Sequence, residues 1–150
     1  MKIAIGVDHG GIEYKQAVID LLESQNIEYK DFGCYSTDSC DYTEFAEKVA
    51  KAVVSGDCDK GVLICGTGIG MSIAANKFKG IRCAHCHDLF SAEMTRLHNN
   101  SNVVAFGARV IDKDLAVKIV DKFINTPFSN EERHIRRVND IIRIETENLK

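Results

Sequence analysis

The residues best suited to chemistry in this 150-residue chain crowd into one run, VLICGTGIGMSIAANK at 62–77. Cys65 ends an apolar stretch, and Gly66, Gly68 and Gly70 follow it, with Thr67 and Ile69 between them. Glycines let successive backbone N–H groups converge on one point, and the helix expected from about Ile69 adds its positive end. Such a nest holds a phosphate, or an oxyanion that forms during a reaction. A thiol at its rim sits in the same field, which favours the thiolate and makes it available as a base or nucleophile. On these residues alone a second reading of Cys65 stays open, that of a small apolar residue closing a strand.

Two familiar phosphate loops do not fit the run. A P-loop needs GxxxxGK[ST], and no glycine here is followed by lysine and a hydroxyl residue. The dinucleotide fingerprint GxGxxG fails at its last position, where Met71 stands, although Asp88 lies near the distance of a ribose-binding acid. Cys83-Ala84-His85-Cys86-His87 spells the c-type haem signature CxxCH. The segment reads as a strand, so the odd offset between the two cysteines puts their thiols on opposite faces, and packing is the expected role. No second Cys/His pair is spaced to complete a zinc site, and neither haem nor a structural metal is expected of this segment.

Further candidates lie elsewhere. Asp8-His9 and Arg109 each follow an apolar run, and His98-Asn99 closes a helical stretch. Arg133 and Arg137 are four apart, hence on one helix face. That pair reads either as a forked clamp for a dianionic phosphate or as a solvated basic face.

The elements that must position these groups alternate along the chain. Strand-like runs at 2–7, 27–33, 61–65, 81–86 and 102–107 are separated by helical spacing at 11–25, 44–56, 69–78, 89–99 and 112–125, the last capped by Asp112. A final helix is expected to open on a capping box with Ser129 at the cap and Glu132 three on, and to carry a stripe of Ile135, Val138, Ile142 and Leu149. This pattern predicts a single α/β domain over 1–150. Its three layers are Rossmann-like or flavodoxin-like, with a five-stranded, mostly parallel sheet and an extra C-terminal helix. In such sheets ligands bind beyond the carboxyl ends of the strands, where Asp8-His9, Cys65–Gly70 and Arg109 would converge.

A net charge of −3 gives no basic bias toward nucleic acid, and no run approaches the ~18 apolar residues that span a bilayer. The opening MKIAIGVDHGG is too short in apolar residues for a signal peptide, so a cytoplasmic chain with its six cysteines reduced is expected.

Taken together, VDHGG (7–11), DY (41–42), ICGTGIGMSIAANK (64–77), IR (81–82), HNNSNVVAFGARV (98–110) and RHIRRV (133–138) resemble the ribose-5-phosphate isomerase B family, which also includes galactose-6-phosphate isomerase subunits. The resemblance covers nearly the whole chain. It implies a cofactor-free aldose–ketose isomerase of the pentose phosphate pathway, interconverting D-ribose 5-phosphate and D-ribulose 5-phosphate through an enediolate. Matched residue by residue, it makes Cys65 the base, with Gly66, Thr67, Gly68, Ile69 and Gly70 around the enediolate oxygens. His98 opens the furanose ring, and Asp8 binds a hydroxyl or relays a proton. Asn99 contacts the substrate, Tyr42 lines the pocket, and His9, Arg109, Arg133 and Arg137 hold the phosphate. It further implies a homodimer, dimer or tetramer left open, in which His98, Asn99 and Arg109 come from the neighbour. Asp41-Tyr42 is followed by Thr43 where the family usually has proline. A six-carbon sugar phosphate (allose 6-phosphate or galactose 6-phosphate) is the alternative substrate, and a non-catalytic sugar-phosphate-binding protein is the alternative of another class.

Overall fold

A computed structural model describes residues 1–149; Lys150, the last residue of the expected domain, lies outside the described residues. In chain order the elements are β1 (Lys2–Val7), α1 (Ile12–Ser24), β2 (Glu28–Asp31), α2 (Tyr42–Val54), β3 (Lys60–Cys65), α3 (Ile69–Ala75), β4 (Cys83–His85), α4 (Leu89–Asn99), β5 (Val103–Gly107), α5 (Lys113–Asn125) and α6 (Glu132–Asn148). The strands form one sheet in the order β2-β1-β3-β5-β4, every pairing parallel.

Burial explains which runs became central. β1, β3 and β5 are almost continuously buried, as strands covered on both faces must be, whereas β2 at one edge alternates exposed and half-buried residues. Successive side chains of one strand enter opposite layers. Ile3, Ile5, Val62, Ile64, Val104 and Phe106 pack under α1, α4 and α5, while Ala4, Leu63, Val103 and Ala105 pack under α2 and α3. The expected three layers are therefore present, and among the described residues no helix is long and apolar enough to cross a membrane.

Two acids start helices. Asp112 accepts from the Leu115 N–H at 2.7 Å as expected. Asp88 accepts from the Ser91 N–H at 2.6 Å, so the residue at ribose-acid spacing is the N-cap of α4. The expected capping box on Ser129 is not formed. α6 begins three residues later, and Ser129 Oγ instead accepts from the Glu131 N–H at 3.2 Å and meets His134 Nδ1 at 2.7 Å. α6 docks on α4 through His134 and Val138, its buried residues, and leaves Ile135, Ile141, Ile142 and Ile144 exposed. Of the expected stripe, Val138 alone is buried among the described residues, on the side of α6 that packs against α4.

Candidate active site

Asp8, Cys65 and Gly107 end or follow three adjacent strands, since Val7 pairs with Ile64 and Cys65 with Gly107. The strand order switches between β1 and β3, β2 being added on one side and the later strands on the other, so a crevice opens at their carboxyl ends. The loop after Cys65 is pinned to β5 on one side. The Ala108 N–H donates to the Cys65 carbonyl at 2.9 Å, and the Arg109 N–H to the Gly66 carbonyl at 3.0 Å. With its carbonyls turned that way, the loop keeps its amides on the other side. Gly68 N–H donates to Cys65 Sγ at 3.0 Å, and among the described residues the N–H groups of Gly66 and Thr67 have no partner within the chain. Gly68 holds the turn with φ of +78°, and a Cβ there would sit 2.6 Å from the Phe106 backbone. Glycine is required on both counts.

Around this nest the other groups fall into place. Asp8 is buried, with Oδ1 accepting from the Gly10 N–H at 2.8 Å. Tyr42, at the start of α2, lays its ring on Gly70, where a Cβ would come within 2.5 Å of its Cζ. Thr67 Oγ1 accepts from the Ile69 N–H at 3.3 Å, and Ile69 itself is exposed at the rim. His9 accepts from the Cys40 N–H through Nδ1 at 3.3 Å, which leaves Nε2 to carry the proton and donate. His9, Gly10, Thr37 and Arg109 share a cavity of about 280 Å³.

The guanidinium of Arg109, a residue expected from a neighbouring subunit, lies against Gly66 of its own chain, because it sits two residues past β5 at the same sheet edge. His98 and Asn99 are at the opposite edge. α4 starts beyond the carboxyl end of β4 and runs back, so its last turn sits near the start of β5. From Val103 to Gly107 the strand alone spans about 13 Å. Arg133 and Arg137 lie with His98, because α6 docks there: the Ser129 N–H donates to the Leu97 carbonyl at 3.2 Å, and the rings of His98 and His134 are 4.2 Å apart. Both arginines are exposed, Arg133 beside Glu131 at 3.0 Å. One chain thus carries its candidate residues in two clusters, at opposite ends of the strands of its sheet.

His134 was passed over in the sequence because it sits among arginines, but it is buried. Burial first, and then the nearby His98, lower its pKa below the ordinary 6.5. The unfolded chain therefore takes up a proton at a higher pH than the folded one, and stability declines as pH falls below about 6.5 until folded His134 titrates too. His134→Asn, whose amide can keep the Ser129 contact, is expected to flatten the fall of the thermal midpoint between roughly pH 7 and 5. An unchanged slope would assign that fall to other groups, such as His87, whose pKa is shifted the same way by burial and by His85.

The CAHCH segment splits as its strand geometry demands. Cys83 packs in one core layer and Cys86 in the other. Burial pushes the Cys86 thiol up to about 11 and Cys83 further in the same direction, so both stay protonated. Among the described residues no group of three or more His, Cys, Asp or Glu could hold a metal ion. Packing does not describe the histidines. His85 is exposed and reaches the Thr67 carbonyl, and His87 Nε2 accepts from the Gly107 N–H at 3.0 Å.

A family model for ribose/galactose isomerases matches residues 3–141. The chain belongs to the ribose/galactose isomerase family. Within it, this family member is 45% identical over 144 residues to ribose-5-phosphate isomerase B of Escherichia coli strain K12, covering 96% of each chain. The solved structure of ribose-5-phosphate isomerase B from Clostridium thermocellum superposes with a TM-score of 0.94 at 48% identity, over 98% of this chain and 99% of that one. Ribose-5-phosphate isomerase B from Mycoplasma genitalium, solved with bound ribulose-5-phosphate, superposes with a TM-score of 0.92 at 38% identity, over 98% of this chain and 97% of that one.

Proposed function

We propose that this family member interconverts D-ribose 5-phosphate and D-ribulose 5-phosphate, an aldose–ketose isomerisation, with Cys65 as the base. The observation that carries the reading is the Gly68 N–H aimed at Cys65 Sγ at 3.0 Å, with the free amides of Gly66 and Thr67 beside it. The reaction removes the proton on C2, beside the aldehyde carbon C1. A thiolate at Cys65 takes that proton as the C1 oxygen gains negative charge, and the amides are placed to hold the enediolate oxygens. The proton of the C2 hydroxyl passes to the C1 oxygen and the same thiol returns the abstracted proton to C1, leaving the ketone at C2, so no atom is gained or lost. Asp8 is placed to bind or relay the hydroxyl proton, and Tyr42 to wall the pocket. His9 and Arg109 are suited to the phosphate, whose binding far from the reacting carbons adds energy usable in the transition state.

The rest of the site is proposed to come from a second copy. His98 for ring opening, Asn99 for a hydroxyl, and Arg133 and Arg137 for the phosphate all lie on the far edge of their own sheet. The apolar residues at hand support a dimer. Ile69, Ile73 and Val110 are exposed near the nest, and Ile135, Ile141, Ile142 and Ile144 are exposed on α6. Some of them would be covered when one chain's α4–α6 corner closes over the other's nest.

The test is turnover of ribose 5-phosphate by the native protein, with and without EDTA. Formation of ribulose 5-phosphate at equal rates in both is expected. A folded protein that leaves ribose 5-phosphate unchanged would overturn the reading; turnover of allose 6-phosphate or galactose 6-phosphate would then name a six-carbon isomerase, and binding without turnover a sensor.

A further inference from the structure

One peptide group lies at the centre of the nest. The N–H of the Thr67–Gly68 peptide donates to Cys65 Sγ at 3.0 Å, and its carbonyl meets His85 Nε2 at 2.8 Å. A carbonyl only accepts, so His85 carries its proton on Nε2 and donates. We propose that His85 is a positioning residue of the isomerase site, gripping the Thr67–Gly68 peptide from behind so that its N–H stays aimed at the Cys65 sulfur.

The reasons are geometric. The nest turns through Gly68 at positive φ, and glycine gives such a peptide little stiffness of its own. A peptide free to rotate would turn its carbonyl toward the sulfur and repel the thiolate. Hydrogen bonding at the carbonyl also polarises the peptide and strengthens its N–H as a donor, since bonds in a chain reinforce one another. His85 is in turn held. Its ring meets His87 edge-on at 4.4 Å and 74°, and His87 Nε2 accepts from the Gly107 N–H at 3.0 Å. Its Cδ2 also lies close to Gly68, 2.9 Å from where a Cβ would stand. The end of β5, the histidine pair and the nest form one continuous contact from Gly107 back to the sulfur.

The inference rests on Cys65 being the base, and its test separates the two. Native turnover of ribose 5-phosphate and its loss in Cys65→Ala judge the base; the His85 variants are compared with active native protein. His85→Leu and His85→Asn, the second polar but too short to reach, are expected to lower kcat about five- to tenfold, the scale of one lost hydrogen bond. KM for ribose 5-phosphate should stay unchanged, and iodoacetamide labelling of Cys65, read by peptide mass, should slow. His85→Gln places an amide N–H where Nε2 stands and should keep kcat within about twofold. His85 is exposed, so all three variants should unfold at the native midpoint. The idea is overturned by a kcat within about twofold of native in the Leu and Asn variants, or by a Gln variant as slow as they are.

Discussion

Cys65→Ala is expected to cut kcat for ribose 5-phosphate by about 10³-fold, the scale of a lost general base, and Cys65→Ser by nearly as much. Cys65 is 4% exposed, so a role in packing alone would also be consistent with its burial. The two roles separate in measurement. Removing one buried sulfur costs about 1 kcal/mol of stability, which a denaturant titration reads directly. Serine nearly preserves the shape but supplies a hydroxyl in place of a far more acidic thiol, so it answers the chemical question with the least disturbance. Folded variants that have lost turnover would assign the sulfur to proton transfer. An alanine variant keeping a tenth or more of native kcat would move the base elsewhere, and buried Asp8 beside the nest is the next group within reach.

The second large effect concerns the two clusters. His98→Ala alone is expected to lose about 100-fold in kcat if His98 opens the ring as proposed. Co-refolded with Cys65→Ala at equal amounts, it should regain about a quarter of native activity. Half of the randomly formed pairs are mixed, and each mixed pair holds one intact site, with Cys65 from one chain and His98 from the other. Differently tagged chains would show that mixed pairs formed. Mixed pairs without recovered activity would place both residues in one chain's site, against the sheet that separates them here.

Much of this was legible in the residues. The apolar runs at 2–7, 61–65 and 102–107 were legible as strands of a mostly parallel sheet, and the weaker run at 27–33 as a further strand; which of them lie at the centre was not. CxxCH was readable as packing for its cysteines, because a strand sends an odd offset to opposite faces. The same rule says nothing of where the intervening histidine ends up, and His85 beneath the nest was missed. Its partner is a backbone carbonyl, which leaves no mark in a sequence.

The chain by itself determined the order of strands and helices, the glycine loop after Cys65 and its family, since these depend on local periodicity and on residue types along contiguous runs. Tertiary structure alone decided which candidates share an edge. Arg109 joined Cys65 because β3 and β5 are parallel neighbours in register, and His98 parted from it because α4 must return across the sheet before β5 can begin. It also decided that Ser129 serves His134 and not a helix start, and that α6 keeps most of its apolar residues uncovered. Those outcomes depend on what packs against each side chain, and that is set by the fold.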